Sequence, residues 1–104
     1  MNKIEYRINM VIEFIRRRFS NSEVIDSFLY GNCYYFAVIL THRFSFLKIV
    51  YLPIKGHFCV TDEENNYFDI SGKIDVSDDK PILFSELLKQ DESLCKRLVR
   101  DCIS

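Results

Sequence analysis

A chain of 104 residues that is 48% apolar and 14% aromatic, with only three glycines and two prolines, has the make-up of one compact domain with a single two-layer core. That composition excludes a disordered or low-complexity segment. A net charge of −1 and an isoelectric point near 6.1 leave no global attraction to nucleic acid or anionic lipid.

No apolar run approaches a membrane span, and the opening MNKIEYRINMVIEFIRRRF threads charges through its apolar positions, unlike a secretory leader. The expected location is the cytoplasm. The four cysteines, at 33, 59, 95 and 102, are therefore expected reduced rather than bridged.

In chain order, Ile4, Ile8, Val11, Ile12, Ile15 and Phe19 recur at three- and four-residue steps and predict an amphipathic helix over 3–19. Arg16, Arg17 and Arg18 fall in its last turn, where cations complement the helix dipole; a partner-binding patch is the other reading. Ser20–Ser22 predicts a stop and a cap for a short helix near 22–29. After Gly31, the run CYYFAVILTHRF is apolar on nearly every face, as in a helix buried at the centre of a small domain, with Asn32 as its expected N-cap.

The period then shortens. FLKIVYLPI (46–54), HFCVTD (57–62) and NYFDIS (66–71) predict an antiparallel meander of at least three strands, the last two joined by the polar turn EENN. Between residues 61 and 79 seven acids face Lys73 alone, which predicts a solvated connection through GKIDVSDDKP. Two helices close the chain, with Ser85 and Asp91 as expected caps; Leu94, Cys95, Leu98, Val99 and Cys102 form one stripe of the second. The predicted architecture is a single α+β domain over 1–104: N-terminal helices with a central Cys-bearing helix, packed on a short antiparallel sheet, then C-terminal helices.

Three residues in this order carry chemistry. A thiol acts as a nucleophile in its thiolate form, and a helix N-terminus favours that form through free N–H groups and the positive dipole end. Cys33 occupies that place if Asn32 caps the helix, and the same amides can receive an oxyanion. A cysteine nucleophile needs a base, and the base an orienting partner on its far nitrogen. If residues whose numbers sum to about 126–128 pair across the EENN turn, Asp69 stands beside Cys59 or within one register step of His57. His57, Cys59 and Thr61 then share one sheet face with Tyr67, Asp69 and Ser71, while Phe58, Val60, Phe68 and Ile70 face the helices.

The sequence G-x-C-x-x-F-A-x-x-L on a helix, an H-x-x-V strand and Y-F-D-I-S-G resembles the papain-like fold in its minimal form, as in transglutaminase-core and cell-wall amidase relatives. It is also similar to a group of small bacterial and phage proteins of the same helix-strand-strand order. The resemblance spans about residues 30–72. It implies Cys33 as nucleophile, His57 as general base and acid and Asp69 as orienter, in a cysteine hydrolase or acyl transferase acting on an amide, isopeptide or thioester bond of a protein or peptide. No residue matches the family's separate oxyanion-hole side chain, and the tryptophans common near the His and Asp of transglutaminase-like domains are absent.

Other readings compete. The same scaffold can serve as a catalytically silent binding module of mobile-element or phage origin, with Tyr34, Tyr35, Tyr51 and Tyr67 as interface anchors. Cys33, His57 and Cys59 offer a zinc site only if Asp69 or His42 supplies a fourth ligand, with no C-x-x-C knuckle to support it; no cofactor or metal is expected. His42 otherwise reads as a helix C-terminal residue. Cys59 reads as a passive neighbour, a redox partner or a ligand, and Cys95 and Cys102 as stripe filler.

Overall fold

The computed structural model describes residues 3–18, 33–62 and 64–103, with side chains through residue 100. The helix predicted near 22–29, and with it Gly31 and Asn32, lies outside the described residues. Those residues form an α+β fold of four helices and one five-stranded antiparallel sheet: α1 Lys3–Arg18, α2 Cys33–Arg43, β1 Lys48–Leu52, β2 His57–Thr61, β3 Tyr67–Asp69, β4 Gly72–Ile74, β5 Ile82–Leu83, α3 Phe84–Gln90 and α4 Glu92–Ile103. None of these helices is long and apolar enough to cross a membrane.

The strands lie in the order β4-β3-β2-β1-β5, and every neighbouring pair is antiparallel. The meander read from sequence is its centre. Its two flanks, β4 and β5, come from the stretch expected to be a solvated connection and the residues just after it. They are three and two residues long, too short to show an alternating pattern.

Strand alternation divides the apolar residues between two faces. On the helix side, Val60, Phe68 and Ile70 pack with Ile8 and Ile12 of α1 and Phe36, Ala37 and Leu40 of α2. On the far side, Val50, Leu52 and Cys59 form a second cluster, closed by Tyr67, Ile74, Val76 and Leu83. The face that carries His57 and Asp69 is thus not given over to function alone, because half of it is a small core of its own.

Polar contacts tie α1 to the sheet beyond its buried stripe. Glu5 is buried and meets Lys73 of β4 at 3.0 Å, and the Arg16 guanidinium donates to the Ile70 carbonyl at 3.2 Å. Arg16 is therefore a structural contact, whereas Arg17, within 3.9 Å of Glu13, is solvated as expected. α2 also differs from expectation: Tyr35 is 50% and Ile39 42% exposed, because the helix lies on the sheet with one flank uncovered. At the C-terminal end, Asp91 caps α4 by accepting the Leu94 N–H at 3.0 Å. Ser85 caps nothing; α3 begins one residue earlier, after Leu83, without a side-chain cap.

Phe68 is fully buried where α1, α2 and the sheet meet. Phe68→Ala is expected to destabilise the protein by about 3–5 kcal/mol through lost transfer energy and the cavity left behind. Equilibrium urea unfolding reads this as a lower midpoint at unchanged slope.

Candidate active site

The site is assembled where the N-terminus of α2 meets the first residues of β2. The β1–β2 hairpin turns through Pro53–Gly56, closed by the Gly56 N–H donating to the Leu52 carbonyl at 2.8 Å. Gly56 takes φ of +63°, a left-handed conformation that glycine adopts without steric cost and that returns the chain into β2 at His57. Asp79, itself buried, braces this turn by accepting the N–H groups of Ile54 and Lys55, both at 3.0 Å. Burial opposes its ionisation, but those donors, with Lys80 N–H and the Lys55 charge, outweigh it and hold the carboxyl below the usual range.

Across the sheet, the turn from β2 to β3 is held by Asp62. Its Oδ1 accepts the N–H groups of Glu64 and Asn66, both at 2.9 Å, and its Oδ2 accepts the Asn66 side-chain amide at 3.0 Å. Asn65 sits at φ of +61°, which asparagine tolerates better than most residues. This turn fixes the register: Thr61 pairs with Tyr67 and Val60 with Phe68. Continued by one step, the same register sets Asp69 opposite Cys59 and diagonal to His57.

From there the Asp69 carboxylate reaches the imidazole, with Oδ2 at 2.9 Å from His57 Nε2. Both side chains are largely buried, His57 at 13% and Asp69 at 8% exposure. The second oxygen, Oδ1, accepts the Ser71 N–H at 2.7 Å and the Ser71 hydroxyl. Burial alone would raise the Asp69 pKa; the hydrogen bonds from His57 and Ser71 and the His57 charge overcome it and hold the carboxyl below its ordinary value. An ionised carboxylate only accepts, so the proton on the ring belongs to Nε2 and Nδ1 is left as the basic nitrogen of the neutral imidazole.

Cys33 is the first residue of α2. Its Sγ accepts the Phe58 N–H at 3.4 Å. That amide is one peptide bond from His57, so covalent geometry places the sulfur within about 6 Å of His57 Cα. The residues on either side of the meeting point are locked by their neighbours' rings: Tyr34 lies edge-on to Phe58 at 5.2 Å, and Phe58 in turn packs on Tyr51 at 4.9 Å. Such contacts are worth on the order of 0.5–1.5 kcal/mol each beyond area burial. Tyr34 and Tyr51 thus serve packing at this junction. Cys33 as a whole residue is 4% exposed.

The chain matches the family model described as Phage YunG-like protein over residues 8–97. It belongs to the Phage YunG-like protein family. The match takes in all three candidate residues and most of α1, so it extends well beyond the helix-strand-strand unit. No curated protein and no solved structure matches the chain.

Two other cysteines of this family member, Cys59 and Cys95, are buried. Cys59 is buried in the far-side cluster, and burial, then the charges of Asp69 and Asp79, push its thiol up to about 12 against the pull of Lys55. It stays protonated at neutral pH. Cys95 is buried on α4, and burial with the nearby Asp91 and Glu92 charges raises its pKa too. His42 is exposed in the last turn of α2. Among the described residues no group of three histidines, cysteines or acids is placed to hold a metal ion, so the zinc arrangement of Cys33, His57 and Cys59 is not formed.

Two residues without an expected role support the site. Ser71 follows Asp69 by two positions, a spacing at which an aspartate accepts the backbone N–H of an Asx turn; the pattern D-I-S carried that signal. Asp79 lies in a polar stretch with no periodicity, and only the folded chain shows that it clamps the turn before His57.

Proposed function

We propose that the protein is a papain-like cysteine hydrolase or acyl transferase with Cys33 as nucleophile, His57 as proton shuttle and Asp69 as orienter. The observation that carries this reading is the pairing of His57 Nε2 with a buried, ionised Asp69 at 2.9 Å, with the Cys33 sulfur at the adjoining peptide.

Nδ1 of the neutral His57 imidazole takes the Cys33 thiol proton, the resulting thiolate attacks the carbonyl carbon of an amide, isopeptide or thioester, and the carbonyl electron pair moves onto oxygen. The positive end of the α2 dipole, at whose first residue Cys33 stands, favours the developing oxyanion. His57 passes its Nδ1 proton to the departing amine or thiol as the carbon–leaving group bond breaks, leaving an acyl-thioester on Cys33. Water or an acceptor amine then attacks; His57 takes its proton, and Cys33 leaves as thiolate. Asp69 keeps the Nε2 proton in place throughout and stabilises the imidazolium.

p-Nitrophenyl acetate tests the nucleophile without knowledge of the natural substrate. The expected result is a burst of nitrophenol with one acetyl group on the Cys33 peptide by mass spectrometry, absent in Cys33→Ala. Acetylation elsewhere only, or a burst that survives Cys33→Ala, overturns the assignment.

The low exposure of Cys33 favours one second reading, a catalytically silent binding module that inhibits or scaffolds a protein partner. On that reading Cys33→Ser leaves the biological phenotype unchanged, whereas the enzyme reading requires its loss.

A further inference from the structure

The outward side of α1 carries large apolar side chains that stay exposed and belong to neither core cluster of the described residues. Tyr6, Met10 and Phe14 follow one another at four-residue steps and are 57%, 55% and 68% exposed. Beside this ridge, between α1 and α2, runs a groove of about 520 Å³ whose apolar walls include Met10, Phe14 and Ile39. Arg7 and Arg43 stand at its side, and both guanidinium groups lie over the Phe44 ring, at 5.9 and 5.5 Å from its centroid. Among the described residues no acidic side chain lines it.

Charge decides what fits there. α1 holds Lys3, Arg7, Arg16, Arg17 and Arg18 against Glu5 and Glu13, a surplus of +3 in a chain whose total is −1. Glu5 is engaged by Lys73, and Glu13 approaches Arg17. A second copy presenting the same surface sets cation against cation, which disfavours self-association through it. A groove with an apolar floor and cationic sides suits the helix-in-groove mode, with partner anchors at i, i+3/i+4 and i+7.

We infer that the α1–α2 groove is a docking surface for an acidic amphipathic helix of a partner protein, which buries its apolar stripe against Met10, Phe14 and Ile39 and pairs its flanking carboxylates with Arg7 and Arg43. The inference is independent of the role given to Cys33, which the groove does not include.

The probe is a fluorescein-labelled peptide of about 18 residues, on the order of 27 Å as a helix, built from glutamates and a leucine stripe of helical spacing. Fluorescence anisotropy with the 104-residue chain is expected to show at least tenfold tighter binding than to a scrambled peptide of the same composition or to its lysine counterpart, weakening as salt rises. Phe14→Ser is expected to weaken binding at least tenfold with unchanged circular dichroism. The Arg7→Glu, Arg43→Glu double variant is expected to switch preference to the lysine peptide, while Cys33→Ala binds as the wild type does. Equal affinity for the acidic and scrambled peptides, or no binding to either, overturns the inference. So does a dimer in sedimentation that Phe14→Ser dissolves, or stronger binding to phosphatidylserine vesicles than to the peptide.

Discussion

His57→Gln is expected to slow acyl transfer from p-nitrophenyl acetate to Cys33 by about 10²–10⁴-fold, the range that a positioned general acid–base contributes. Glutamine is the informative substitution because its amide can still donate to Asp69, so the buried carboxylate keeps a partner and the fold is preserved. What it cannot do is accept and return a proton. Simple alkylation of Cys33 should fall less, on the order of tenfold at slightly acidic pH. On the proposed mechanism His57→Gln removes the acceptor of the thiol proton, but a thiol of higher pKa is intrinsically the better nucleophile and recovers part of the loss. A burst rate that His57→Gln leaves within about twofold of wild type, with Cys33 still the acetylated residue, removes His57 from the proposed chemistry.

Asp69→Ala is expected to cost about 3–5 kcal/mol of stability, since it deletes one member of a buried, hydrogen-bonded pair. His57 then loses its Nε2 partner, and the Ser71 hydroxyl and N–H lose their acceptor. Asp69→Asn should cost less because the amide oxygen can still serve Ser71. Its –NH₂ group, however, presents a donor to Nε2, moves the ring proton to Nδ1, and takes away the basic nitrogen; a wrong tautomer can cost up to about 10⁴-fold in rate.

Acid unfolding separates the two effects. The folded Asp69 carboxyl lies below its ordinary value, while the unfolded carboxyl titrates near 3.9. Between those values the unfolded chain binds more protons, so stability rises with pH. The contribution is fully present above about pH 4 and is lost as pH falls through the folded value. Asp69→Asn should flatten this part of the wild-type stability profile, and an unchanged acid slope would mean that Asp69 is not ionised in the folded protein.

The parts of the fold with a strong period were legible in the residues. Ile8 and Ile12 marked the buried stripe of α1, and alternation through Phe58–Thr61 and Tyr67–Asp69 gave β2 and β3 and the face each side chain takes. β4 and β5 were not, because strands of three and two residues are defined by their neighbours' hydrogen bonds rather than by pattern. The register was narrowed to a choice of two, and the Asp62–Asn66 turn chose between them by setting Asp69 diagonal to His57. Its contact with the imidazole is then made by side-chain reach rather than by direct cross-strand opposition.

Long-range polar contacts left the least trace. Arg16 read as one of three solvated cations, yet it reaches a carbonyl 54 positions away. Asp79 read as loop acidity, yet it braces the turn that delivers His57. Neither is encoded by local spacing; both depend on which backbone groups the finished sheet leaves unpaired.

The central claim is that the Cys33 sulfur is poised as a thiolate beside His57. Site-resolved iodoacetamide labelling, followed by mass spectrometry across pH, tests it on the unmodified protein. The expected profile has Cys33 reacting at a near-plateau rate from slightly acidic pH upward, with Cys59, whose thiol is pushed up to about 12, silent until the protein unfolds. A Cys33 profile that rises only around pH 8.5, the midpoint of an ordinary thiol, or labelling of Cys33 no faster than of the buried Cys95, contradicts it.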